Sequence, residues 1–268
     1  MLRSAVCLRF CVDVALVRAD ERTGAPCLGG VPWRVSTLDE HAIEAVVRLK
    51  EVHGGSVTAV ALVDREPPRE LVLKALAMGI DEARFFVDET AGQSDALGTA
   101  TALAEALRWL GGFELVALGE GSIDRYDQEV GPRVAEALGL PCVAYATSVE
   151  LDDGARSLVA ERLLEDRIET VRCSLPAVIT VGQEAPAPRL PSVLQVLGAG
   201  RKPTETHPIS VLTALRGQSA ATLSRSQLLS VSAPVGQRKR ILVQGESPEA
   251  AASELARLLV ADGVARCP

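Results

Sequence analysis

The sequence predicts an α/β protein, a mainly parallel sheet flanked by helices with a C-terminal arm and helix behind it. Apolar runs short enough for buried strands alternate with segments whose apolar residues recur at helical spacing, four times over residues 4–138. The composition agrees: 47% hydrophobic residues but only 3% aromatic ones suit helices packed on a parallel sheet better than a β-sandwich. Residues 113–141 then place a strand, a glycine-bearing loop and a helix start in succession, which is how such proteins seat a phosphate.

In chain order, residues 4–10 read as the first strand and residues 22–30 as a turn-rich hairpin. A helix follows, capped by Ser36, Thr37 or Asp39, with Leu38, Ala42, Ala45, Val46 and Leu49 as its apolar face. Residues 57–63 are a β-branched strand; Pro67 and Pro68 precede a helix through Leu71, Ala75 and Leu76 that ends at Gly79. Residues 83–87 form the third strand, 97–110 a long helix and 113–118 the fourth strand. Helical spacing resumes at Val130, Val134 and Leu138, so the helix start falls near residues 127–131, its free N–H groups facing the loop. This alternation favours right-handed crossovers and a Rossmann-like sheet with ligands beyond the carboxyl ends of its strands.

Four further β-like stretches at 144–150, 157–164, 169–174 and 177–181 read as antiparallel, punctuated by Asp152, Gly154 and Asp166. From Gly182 the chain turns proline-rich and irregular, either a linker or a segment packing on another chain. Residues 248–260 carry a last apolar stripe, Ala252, Leu255, Leu258 and Leu259, with little local core to join; this helix is expected to dock on a partner. The division expected is an α/β domain over 1–185, a partner-recognition loop over 186–203 and an arm with its helix over 204–268.

A net charge of −7 without a basic stripe argues against nucleic acid as a partner. No apolar run approaches the ~20 residues that span a bilayer, and Arg3, Arg9 and Asp13 interrupt the N-terminal one. Neither membrane insertion nor a signal peptide is expected. The six cysteines, Cys7, Cys11, Cys27, Cys142, Cys173 and Cys267, are scattered, and they read as reduced thiols of a cytoplasmic protein. His41, His53 and His207 stand apart from one another and from the cysteines, so no metal site is expected. No nucleophile elbow, cysteine–histidine dyad or P-loop is present.

Five stretches, in order, carry a resemblance to a known family: LDEHAIEAVVRLKE at 38–51; KALAMGIDEARFFVDE at 74–89; the loop with Gly119, Ile123, Asp124, Val130, Gly131 and Pro132; RLLEDRIETVRCSLPAVITV at 162–181; and PRLPSVLQVLGAGRKP at 188–203. Together they resemble the β subunit of electron transfer flavoproteins. The resemblance implies a fold of the adenine-nucleotide-binding type and a heterodimer with an α subunit. An FAD held mainly by the α subunit would take electrons from dehydrogenases and pass them to a quinone reductase or other acceptor. AMP would be the ligand of the β subunit, which would have no bond-making chemistry of its own. Carried over by position, the nucleotide site comprises Cys7, Ser36, Thr37, Leu38, Asp39, Val63, Gly119, Gly121, Ser122, Ile123, Asp124, Asp127, Gln128, Glu129, Val130 and Gly131. The loop that grips partner dehydrogenases would include Arg189, Leu190, Val193 and Leu194.

The chain departs from the family pattern at that loop. Glu120 stands where a lysine is common, and Gly121 and Glu129 where glutamines are. A like-charge contact at ~4 Å costs about 1 kcal/mol in water-like surroundings and about 4 kcal/mol at an effective dielectric near 20. Glu120 and Glu129 are therefore expected to weaken phosphate binding, with Arg125 offsetting part of the cost. Ser36 and Thr37 replace an asparagine and a proline, and Val14 stands where an aromatic or polar residue often approaches the flavin. A scaffolding subunit that keeps the fold and the α-subunit interface but has lost the nucleotide is the alternative reading. A nucleotide hydrolase or ligase lacks its pyrophosphate motif here.

Overall fold

The computed structural model describes residues 1–152, 154, 156–233 and 239–265, so Cys267 lies outside the described residues. The chain opens with β1 (Leu2–Cys7) and β2 (Phe10–Val12), two strands where the apolar pattern predicts one. The break falls at Leu8 and Arg9 because a guanidinium cannot follow its neighbours into the sheet. The Arg9 backbone N–H instead donates to the Asp39 carboxylate at 2.7 Å. The expected hairpin forms as β3 (Arg18–Ala19) and β4 (Pro26–Cys27), and β5 (Trp33–Val35) returns antiparallel to β2.

The predicted alternation then follows: α1 (Thr37–His53), β6 (Gly55–Val63), α2 (Arg69–Ala77), β7 (Glu82–Val87), α3 (Ala96–Trp109), β8 (Leu115–Gly119) and α4 (Val130–Leu138). β1 lies between β6 and β8 and is parallel to both, with Ser4 level with Val57 on one side and Leu115 on the other. Successive residues of β1 serve opposite faces, as strand geometry requires. Val6 joins the core under α1 and α2 with Ile43, Val46 and Leu76, whereas Ala5 and Cys7 join the core under α3 and α4 with Leu103, Leu107 and Val134.

The next strands are β9 (Cys142–Leu151), β10 (Ser157–Leu163), β11 (Ile168–Ser174) and β12 (Ala177–Val181). The first three form the expected antiparallel meander, but β12 inserts between β9 and β8 and runs parallel to both. The sequence explains the difference. β11 alternates exposed and half-buried residues, as a one-faced strand does, whereas all five residues of β12 are buried and apolar or, at Thr180, hydrogen-bonded.

The segment after Gly182 is more ordered than its prolines suggest. Ser192 and Gln195 form a reciprocal capping box that starts α5 (Val193–Ala199). β13 (Thr204–Pro208) then adds a parallel edge strand beside β7, completing the nine-stranded order β11-β10-β9-β12-β8-β1-β6-β7-β13. Its polar T-E-T-H-P sequence suits an edge, where one side faces water. Two 3-10 turns (Ile209–Val211 and Thr213–Leu215), α6 (Ala220–Leu223) and finally α7 (Pro248–Ala261) follow; α7 has no buried residue. No helix is long and apolar enough to cross a membrane among the described residues.

Candidate nucleotide site at the strand ends

β1 connects through α1 to β6 on one side, whereas β7 connects through α3 to β8 on the other, so the strand order reverses at β1. The helices of the two halves cover opposite faces, which opens a crevice beyond the carboxyl ends of β1 and β8. Cys7, Leu8 and Arg9 line it from β1, Asp39 from α1, Leu62 from β6 and Thr99 and Leu103 from α3. Leu118, Gly119, Glu120, Gly121, Ser122, Arg125, Asp127, Val130 and Gly131 complete it. This inner cavity is about 70 Å³. An outer one of about 380 Å³ shares Arg9, Leu62 and Thr99 with it and brings in Cys11, Trp33, Val63, Arg65 and Asp124. Pockets for small ligands run from about 300 Å³ upward. The inner cavity alone thus suits one small group, and the outer cleft a larger body.

Of the residues carried over by sequence, Cys7, Asp39, Gly119, Gly121, Ser122, Asp127, Val130 and Gly131 meet around the inner cavity, and Val63 and Asp124 around the outer one. Ser36, Thr37, Leu38, Ile123, Gln128 and Glu129 line neither. Two glycines serve a purpose other than ligand approach. A Cβ on Gly119 would sit 2.7 Å from Asp39 Oδ1 and 2.8 Å from Leu38, and one on Gly131 would sit 2.2 Å from Thr180 Cγ2. Their bare backbones let α1 and α4 close on the sheet.

Asp39 holds this corner together. Its buried carboxylate accepts the N–H of Arg9 at 2.7 Å and that of Gly119 at 3.0 Å, tying the end of β1 to the end of β8. Burial pushes its carboxyl up to about 7, against the pull of those N–H groups and of the Arg9 charge. Burial, with Asp39 adding to it, likewise raises the Cys7 thiol far above its ordinary range, so Cys7 is a small apolar filler. The thiol of Cys11 is pushed up to about 12, chiefly by burial. The five described cysteines are free thiols.

The charges of the site are mostly spent on one another. Arg9 forks onto Asp124, with Nε 2.8 Å from Oδ1 and Nη2 2.5 Å from Oδ2, and this pair keeps the Asp124 carboxyl below its usual range although burial opposes it. Arg125 donates to the carbonyls of Ser94 and Gly92. Tyr126 donates its hydroxyl to Glu120 Oε1 at 2.7 Å, and its own phenol is pushed up to about 12 by that bond, with burial adding to it. Tyr126 and Gln128 both adopt positive φ, 48° and 56°, conformations that cost a non-glycine residue free energy. Of the two carboxylates expected to face a phosphate, Glu120 lines the cavity and Glu129 does not. Glu129 points outward and pairs with Arg133 one turn along α4, Oε2 to Nη2 at 2.6 Å.

At α4 the first intrahelical bond runs from the Arg133 N–H to the Glu129 carbonyl, so the N–H groups of Val130 and Gly131, two residues that line the inner cavity, precede the ladder. Ser36 sits at the cap position of α1, fully buried, and its hydroxyl bonds no protein group among the described residues.

In the other expected site, Leu190, Val193 and Leu194 are 90%, 76% and 80% exposed, whereas Arg189 is folded back onto Glu44 and Glu51 of α1. Sequence reasoning missed Arg9, Leu62 and Thr99, and the bond of Tyr126 to Glu120. A lone charge inside the apolar run C-L-R-F-C was the signal for Arg9; nothing local marks Leu62 and Thr99, which reach the crevice from β6 and α3.

Residues 29–214 match the Electron transfer flavoprotein domain family. The chain is 35% identical to the Electron transfer flavoprotein subunit beta of Clostridium acetobutylicum over 194 residues, which cover 72% of this chain and 73% of the relative. It is 34% identical to the subunit of the same name from Bacillus subtilis over 177 residues, 66% and 67% of the two chains. It is 30% identical over 204 residues, 75% and 76% of the two chains, to the Caffeyl-CoA reductase-Etf complex subunit CarD of Acetobacterium woodii. The match spans α1, the crevice loop, β12 and α5, and the chain belongs to the electron transfer flavoprotein family as a β subunit.

Proposed function

We propose that this chain is the β half of a heterodimeric electron transfer flavoprotein, paired with an α subunit that holds most of an FAD. Electrons enter from dehydrogenases and leave to a quinone reductase or another acceptor. The observation that carries the reading is the family match over residues 29–214, which covers most of the crevice and the α5 loop together. The flavin supplies the redox chemistry; this chain's residues bind, orient and exclude water. The relative named as part of a caffeyl-CoA reductase complex supports a reductase or dehydrogenase as the class of redox partner. Thiols left free at Cys7, Cys11, Cys27, Cys142 and Cys173 suit a cytoplasmic setting.

Within the chain, an AMP would be held with its adenine edge on the backbone of Cys7 and Val63, at the ends of β1 and β6, and its phosphate at the N–H groups of Val130 and Gly131. The size of the outer cleft supports this fit. Residues 1–185 would form the nucleotide-binding body, residues 186–203 the loop presented to redox partners through Leu190, Val193 and Leu194, and residues 204–268 the arm that embraces the α subunit. Leu228, Leu229 and Leu242, 74%, 88% and 80% exposed, support the last assignment.

One observation favours a second reading, a scaffolding subunit without nucleotide. Asp39, Glu120 and Asp127 line the inner cavity, while its two guanidinium groups, Arg9 and Arg125, are engaged by protein acceptors. Co-expression with an α subunit separates the two. A yellow complex that releases near-stoichiometric AMP on heat denaturation supports the first reading; a yellow complex without nucleotide supports the second at the β site. A colourless monomer that never captures an α subunit overturns both.

A further inference from the structure

Arg189 belongs to the stretch expected to touch redox partners, yet its own contacts run inward. Its Nε donates to Glu44 Oε2 at 2.8 Å, Nη1 to Glu51 Oε1 at 2.5 Å, and Nη2 to Glu51 Oε2 at 3.0 Å and Glu44 Oε1 at 3.3 Å. Its backbone N–H adds a bond to Glu44 Oε2 at 3.2 Å. Glu44 is almost wholly buried, 3% exposed, and also takes the Arg48 guanidinium at 2.6 Å. Glu44, Arg48 and Glu51 are spaced i, i+4 and i+7, so they share one stripe of α1. Two arginines and two glutamates thus close a neutral cluster over a carboxylate that could not stay charged there alone. These contacts hold the Glu44 carboxyl below its usual range although burial opposes it, and that of Glu51 as well.

The start of the segment depends on this contact. Among the described residues, the hydrogen bonds of residues 186–191 are all made by Arg189. Pro186, Pro188 and Pro191 fix their own φ and stiffen the approach, but proline rings do not attach a segment to the body. The far end is anchored separately. Val196 packs half-buried against the main core, Ala199 is buried, and Lys202 Nζ donates to the carbonyls of Leu76 at 2.8 Å and Ile80 at 2.5 Å. Between the anchors Leu190, Val193, Leu194 and Leu197 stand 69–90% exposed.

We propose that Arg189 is a positioning residue, a latch that pins the base of this apolar prong to α1 and so presents it ready-shaped to a redox partner, without itself touching that partner. The inference rests on the reading of residues 186–203 as the partner loop. Pre-ordering lowers the entropic cost of association, so losing the latch weakens docking and leaves the chemistry of the flavin alone.

The test uses the full heterodimer with its α subunit, wild type against Arg189→Gln and Arg189→Lys, and, as electron donor, a purified dehydrogenase that in its reduced form passes electrons to the wild-type heterodimer. In Arg189→Gln, amide hydrogen exchange of residues 190–197 should rise about tenfold while α2 and β6 exchange as before. The half-saturating donor concentration should rise about tenfold, with the rate at saturation changed less than twofold; Arg189→Lys, with a charge but no fork, should fall between. Unchanged exchange overturns the latch. Raised exchange with an unchanged half-saturating concentration overturns the role in docking and leaves Arg189 purely structural. An unchanged half-saturating donor concentration in Leu190→Ala and Leu194→Ala, the exposed residues of the prong, overturns the partner-loop reading beneath it, an outcome separable from the first two because it does not involve Arg189.

Discussion

Helices α1 and α7 are both amphipathic and similar in length, 17 and 14 residues, yet α1 buries eight of its residues and α7 buries none. The difference lies in what surrounds them. α1 leads into the central strand β6 and drops its stripe of Ala42, Ile43, Val46 and Leu49 onto the sheet, whereas α7 ends an arm of exposed leucines with no second layer beneath it. The same local pattern therefore means core in one place and interface in the other, because a stripe is stabilised only when something covers it.

Ile43→Ala should break the first half of this contrast most strongly, lowering the stability of the free chain by about 2–5 kcal/mol in urea unfolding, since its side chain is fully enclosed. Next come two carboxylates with opposite pH signatures. Asp39, raised to about 7 from 3.8, favours its proton in the folded state. Wild-type stability relative to Asp39→Asn should be greatest below about pH 3.8 and should fall as pH rises through about 7. Asp95 is the reverse. Burial opposes its ionisation, but its carboxylate accepts the N–H groups of Gly98, Arg225 and Ser226, which hold its carboxyl far below 3.8. Its advantage over Asp95→Asn should be full above about pH 3.8 and should disappear as pH falls below it. Because Asp95 both caps α3 and fastens the root of the arm, Asp95→Ala should cost about 1–2 kcal/mol.

Leu255→Ala sharpens the second half of the contrast. In the free chain its effect should stay within about 0.5 kcal/mol, as for an exposed site, while in the heterodimer the dissociation constant from the α subunit should rise about tenfold. An equal, negligible effect in both states would place the cover of α7 elsewhere. The smallest change is expected for Glu129→Gln: its carboxylate is engaged by Arg133 outside the cavity, so retained nucleotide, measured after heat release, should change less than twofold.

Much of the architecture was legible because it is local. Strand-length apolar runs, helical stripes and turn residues marked most elements from β1 to α4, and the A-V-I-T-V of β12, apolar but for Thr180, already carried the mark of a central parallel strand, although its neighbours suggested a meander. Site residues were legible where the chain runs directly through the crevice, as at Cys7, Asp39, Gly119 and Val130. Glu129 was misjudged because a single residue's direction around a helix decides whether it faces a cavity or Arg133. Arg189 was read as a contact for the same kind of reason: its partners lie 138 and 145 residues away in α1.

By itself the sequence determined the family, the alternating elements and the apolar stripe of α7, since each is written in the spacing of nearby residues. Tertiary structure alone decided what the charges and glycines are for. Arg9 is spent on Asp124, Asp39 ties two strand ends together, Gly119 and Gly131 make room for helices, and Arg189 is anchored to Glu44. A charge or a bare Cα acquires its role from groups that the fold brings within a few ångströms, and those groups are far apart along the chain.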